Sequence, residues 1–222
     1  MHLSRDHRNV TVLALCQALF ITGQSIMFIL AGLVGADLTE EKALATLPIS
    51  VIIIATTLTT IPASLLMKRI GRKPGFMIGA TFGVIGALIA SYGIQQSNFW
   101  IFVLGTGTIG TYGGFAQYYR FAAADVAESN FKGKAISLVI SGGIVAAFTG
   151  PLLTNYTFDI NVIPFLGSFV TVAILAATAI LMLTLIDIPR PDIAERSSSG
   201  RPLTEIVRNP ELLAAIFVGM IG

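Results

Sequence analysis

Four cations, Lys68, Arg69, Arg72 and Lys73, crowd the stretch MKRIGRKPG between two long apolar runs. Such a cluster can hold an acidic side chain or an anionic headgroup. Gly71 stands in its middle. A second set of residues is neutral. Gln17 and Gln24 are seven residues apart, so they lie on nearly one face of a helix, and Ser25 adjoins the second. Tyr112 and Gln117 follow in a later apolar run, with Arg120 and Asp125 just beyond it. Amides, hydroxyls and phenols at membrane depth are costly unless partnered. They can therefore line the wall of a solute cavity or bind helix to helix, and both readings stand for Gln17, Gln24 and Ser25. Tyr112 is deep enough to face a cavity, whereas Tyr118 and Tyr119 read as interfacial anchors. Thr56, Thr57, Thr59 and Thr60 can satisfy their hydroxyls on their own helix backbone. No nucleophile adjoins a base, no metal-ligand spacing is present and no G-x-x-x-x-G-K loop occurs. An enzyme, a metal or an organic cofactor is therefore not expected.

The elements that must position these residues are set by composition. The chain has 222 residues, 54% hydrophobic and only 12% charged, with a mean hydropathy of +0.80. Soluble domains carry about 25% charged residues. The net charge of +2 is too small for a nucleic-acid surface. The single cysteine, Cys16, allows no internal disulfide. These features describe an all-α integral membrane protein whose main partner is the lipid bilayer.

A helix crossing the hydrocarbon core needs about 20 apolar residues. That length predicts six spans, at 11–35, 45–67, 74–94, 99–121, 133–157 and 163–187. Their interiors carry no Asp, Glu or Lys, and Arg120 sits only at the inner edge of the fourth. Residues 1–187 thus form a six-helix bundle, and 188–210, rich in Pro, Ser and charge, form a cytoplasmic linker. Residues 211–222 start a seventh helix. The apolar part of that helix, at roughly 1.5 Å per residue, is half a bilayer long, and ending there would leave carbonyls unpaired in lipid. The sequence therefore reads as the front half of a longer protein, or else these last residues lie at the surface. Of the fourteen lysines and arginines, all but Lys42 fall at the amino terminus, in the 2–3 and 4–5 loops or after span six. The positive-inside rule then puts both ends in the cytoplasm, in a bacterial inner membrane or one derived from it.

Small residues recur every four positions, as Gly75, Gly79 and Gly83, and as Gly142, Ala146 and Gly150. Lipid gives helices no hydrophobic reason to associate, so these stripes are expected at helix contacts. At Gly150-Pro151 the missing backbone donor should bend the fifth span.

Two stretches resemble the major facilitator superfamily of secondary transporters. That family's loop between helices two and three is similar to G-x-L-x-D-R-x-G-R-K, and here residues 64–73 read SLLMKRIGRK. The R-x-G-R-K half is intact, Ser64 replaces the leading glycine and Lys68 replaces the acid. The family's helix-five motif is similar to G-x-x-x-G-P-x-x-G-G, of which Gly150-Pro151 survives. Thr106 stands where the family often has a buried arginine, and Gly23 stands near an aspartate of its drug/proton antiporters.

The resemblance implies two inverted three-helix repeats. It also implies a small-molecule substrate held at mid-membrane against a second half, and alternating access, with or without coupling to protons. Helices one, two, four and five would line the cavity. In this family an acid after span four often pairs with the loop arginine, so Asp125 is expected to meet Arg72 or Arg69. The other readings of the same sequence are a non-transporting membrane anchor or scaffold, and a six-helix unit that pairs with a second copy of itself.

Overall fold

Lipid offers backbone groups no partner, so a chain that crosses it must pair them within each segment. The computed structural model, which describes residues 5–158 and 163–188, contains helices and no strand among them. The helices are α1 (Arg5–Leu38), α2 (Leu47–Ile70), α3 (Arg72–Gln95), α4 (Phe99–Ala116), α5 (Tyr119–Val126), α6 (Lys132–Thr157) and α7 (Leu166–Thr184), with a 3-10 turn at Lys42–Leu44. Five of them, α1, α2, α3, α6 and α7, are long and apolar enough to cross a bilayer. The remaining span, α4, has 18 residues but is diluted by glycine and threonine. The linker and seventh helix expected at 188–222 lie outside the described residues, apart from Ile188.

One boundary differs from the sequence expectation. The fourth span was expected to reach residue 121, but α4 ends at Ala116 and α5 begins at Tyr119. The cause is amphipathic. Tyr119, Ala122 and Ala123, at i, i+3 and i+4, are buried, while Arg120, Phe121 and Asp125 are not. Residues 119–126 therefore form a short helix against α1 and α6 instead of prolonging α4.

Close approach of backbones holds the bundle together. Gly79, Gly83, Gly86 and Gly93 of α3 meet Phe115, Tyr112, Ile109 and Phe102 of α4 in turn, an antiparallel seam. Gly110, Gly113 and Gly114 of α4 face Ile52, Thr56 and Thr59 of α2, a parallel one. Gly142 packs on Ala14 and Ala18, and Gly150 on Ser25, joining α6 to α1. A hydroxyl pair, Thr22 with Thr149 at 2.7 Å, lies in the same contact. The outward faces of α2 and α6 remain apolar, with Ile61 71% and Phe148 75% exposed. Such faces suit a lipid or helix environment and not water.

The helix directions gather nine of the ten described cations at one end of the bundle, and Lys42 lies at the other beside Asp37, Glu40 and Glu41. Exposed Tyr92, Trp100 and Tyr156 also sit at that second end, where aromatic rings match a headgroup layer.

Candidate functional site

At the basic end the turn between α2 and α3 is a single residue. Gly71 has φ 95° and ψ 162°, and its N–H donates to Met67. A side chain is strained in that region. Gly71→Ala is expected to lower the melting temperature of the purified protein in detergent, at a cost of about 1–3 kcal/mol. A melting curve that matches the wild type would show that this turn tolerates a Cβ.

Because the turn is so short, Arg72 opens α3, where the helix dipole disfavours a cation. Asp125 lies in the last turn of α5, where the dipole disfavours an anion. Each supplies what the other position lacks, and Arg72 donates to the Asp125 carboxylate. The carboxylate is 56% exposed, so the contact is worth about 0–1 kcal/mol in stability. Lys73 takes a different role. Its ammonium donates to the carbonyls of Thr184 at 2.6 Å and Ile186 at 2.8 Å, at the carboxyl end of α7. There a cation is favoured and orphan carbonyls need donors. Asp187 is in turn held by α1. Its N–H and C=O bond the Asn9 amide at 3.0 and 2.9 Å, and its carboxylate meets Arg5 at 2.5 Å. The ends of α1, α3, α5 and α7 are thus joined by polar contacts. Lys68 is half-buried and Arg69 exposed, while the exposed Arg120 lies over the Phe121 ring at 5.0 Å.

Toward mid-bundle, α1, α2, α4 and α7 enclose an apolar cleft. Its closed part is about 20 Å³, room for one water. Beyond that the cleft opens to solvent at its mouth. The missing side chain of Gly23 opens it toward Val172 and Leu175. This is why α7 contributes to the wall, where the family resemblance implied the helix corresponding to α6.

Three of the fourteen lining residues, Gln24, Thr56 and Tyr112, carry side-chain nitrogen or oxygen. Thr56 is committed to the carbonyls of Ile52 at 2.8 Å and Gly110 at 2.9 Å. The Tyr112 hydroxyl faces that of Tyr119 at 3.4 Å, and its ring meets Phe20 edge-on. The half-buried Gln24 amide makes no hydrogen bond among the described residues.

The structure thus brings Gln24 and Tyr112 together and leaves the other cavity candidates elsewhere. Gln17 is half-buried on α1 outside the cleft, Ser25 packs on Gly150, and Gln117 is exposed at the α4–α5 break. Tyr119 is no interfacial anchor, being fully buried against Phe76. Its spacing to Ala122 and Ala123 was the signal for a buried face. Thr106 is buried, with its hydroxyl on Val103. Pro151 lies inside an α6 that runs on to Thr157. Lys73 on α7 and Asn9 on Asp187 had no signal in the sequence, since both need the distant end of α7 to be placed first.

The model of the Major Facilitator Superfamily matches residues 13–222. The chain belongs to the major facilitator superfamily. It is also 40% identical, over 218 residues and 96% of its length, to the riboflavin transporter RfnT of Brucella anthropi. The chain spans about half of that relative, 54% of its length. Membership makes this an integral, multi-pass membrane protein. Within the superfamily its departures now have surroundings. Lys68 stands at the end of α2 where an acid is usual, and Thr106 puts a locally satisfied hydroxyl where a buried arginine is common.

Proposed function

We propose that the chain is the amino-terminal half of a secondary transporter that carries riboflavin, or a solute sharing its flat ring system, by alternating access. The observation that carries this reading is identity of 40% along nearly the whole chain to a riboflavin transporter. The half-open apolar cleft with one uncommitted amide is compatible with it. In this reading the basic end faces the cytoplasm of a bacterial inner membrane. Spans 1–3 and 4–6 form two inverted repeats, and a second half completes the cavity. Arg72 and Asp125 belong to the cytoplasmic gate. A proton-coupled carrier needs a titratable group in its path, and the six span interiors hold no Asp, Glu or His. Coupling would therefore run through the second half or through Asp37 and Asp125 at the membrane edges.

The test is uptake of labelled riboflavin by riboflavin-auxotrophic bacteria that express the full-length protein. Growth on limiting riboflavin, with saturable uptake above the empty-vector level, is the expected result. Background uptake from protein that is folded and membrane-inserted would remove the flavin assignment.

A further inference from the structure

Gln24 lies one residue from the centre of the apolar run 11–35. An amide at that depth carries two donors and an acceptor, and leaving them unmade is costly. Ser25, its neighbour, is buttressed by Gly150. Thr56 and Tyr112, the other polar residues of the cleft, already have partners. What remains is one donor–acceptor pair on an otherwise apolar wall formed by Leu19, Phe20, Met27, Ile109 and Leu175. Such a wall offers no replacement for the water that hydroxyls would lose, so only the ring of a solute belongs against it and any polyol chain must lie outside. The wall suits a flat, largely apolar ring with one edge that offers a donor beside an acceptor.

We propose that Gln24 is a specificity-determining residue that pairs with the lactam or imide edge of a planar heteroaromatic solute. The amide N–H of Gln24 donates to a ring carbonyl, and its carbonyl accepts from the adjacent ring N–H. The apolar side chains flank one face of the ring, and the second half would cover the rest. This deepens the riboflavin reading and rests on it, because the pyrimidine edge of a flavin ring is an imide. A pairing of this kind discriminates once the bound ring shields the half-buried amide from water, since a lost partner then leaves a polar group unpaired.

The experiment compares riboflavin with its N3-methyl derivative, in which the imide donor is blocked. Binding is followed by flavin fluorescence on the purified full-length protein, wild type and Gln24→Met. Met is close to Gln in length and keeps the packing, and the ratio of the two affinities is insensitive to a general loss of stability. Wild type is expected to prefer riboflavin by roughly tenfold or more. Gln24→Met should bind riboflavin at least about tenfold more weakly and lose the preference. A preference that survives in Gln24→Met overturns the inference, as does a wild type indifferent to N3-methylation. Lumazine and xanthine, which carry the same imide edge, separate the two readings. Gln24-dependent binding of either ring, without binding of riboflavin, would overturn the flavin assignment and support the role of Gln24. Binding of none of the imide rings would overturn both.

Discussion

Gly86→Leu is expected to yield little or no folded protein. A Cβ at Gly86 would lie 2.6 Å from the Ile109 backbone nitrogen and 2.9 Å from the Gly105 carbonyl oxygen. Side chains can turn away from such a clash, but backbone cannot, so α3 and α4 would have to separate along their whole seam. Moderate overpacking costs about 1–3 kcal/mol, and a branched side chain set against backbone should exceed that range. Helix association in lipid depends on close packing, which removes the alternative of a looser seam. Gly86→Ala should be intermediate, with a lower melting temperature and reduced monodisperse yield. Gly133→Ala is the matched contrast, because nothing lies within 4 Å of a Cβ there. It should leave yield unchanged and can raise stability slightly through helix propensity. The measurement is the monodisperse fraction and melting temperature of each variant in one detergent. Wild-type behaviour of Gly86→Leu would mean that the α3–α4 seam is not close-packed.

That seam was legible in the sequence because helix packing in lipid leaves a periodic trace. Gly75, Gly79 and Gly83 recur every four residues; Gly79 and Gly83 meet Phe115 and Tyr112 of α4, while Gly75 faces Met67 of α2. The stripe Gly142, Ala146 and Gly150 is likewise buried. Five of the spans were legible from apolar length alone. The fourth was misjudged at its end because hydropathy does not distinguish a continuing helix from a short amphipathic one, and Tyr119 looks the same in both. The site was less legible. Gln17 and Gln24 are equivalent by spacing, and only the cleft opened by Gly23 separates them. Lys73 was one of four similar cations until α7 placed two carbonyls within its reach. Contacts between residues over a hundred positions apart, such as Lys73 with Thr184, follow from topology and leave no local pattern.

Breaking the pair between Arg72 and Asp125 should affect transport far more than stability. The carboxylate is 56% exposed and the arginine 27%, so removing either charge should cost no more than about 1 kcal/mol. The pair adds a polar tie between α3 and α5, which also meet through the buried Phe76 and Tyr119 rings. Arg72 is fixed to the turn at Gly71, and Asp125 closes the short helix α5. In a carrier that alternates, a contact made in one access state and lost in the other shifts the equilibrium by its whole difference in energy. Coupling energies of about 1–3 kcal/mol correspond to 5–150-fold changes. Asp125→Asn is therefore expected to shift the melting temperature only slightly. On the proposed riboflavin reading, uptake by the full-length protein should fall by roughly fivefold or more, and labelling of a cysteine introduced at the basic end should rise. Arg72→Gln should do the same, and the exchange of the two charges should recover part of the loss. High salt should narrow the difference between wild type and variants, because an exposed pair is screened. If Asp125→Asn transports at the wild-type rate and its labelling is unchanged, the contact between Arg72 and Asp125 has no part in the access equilibrium.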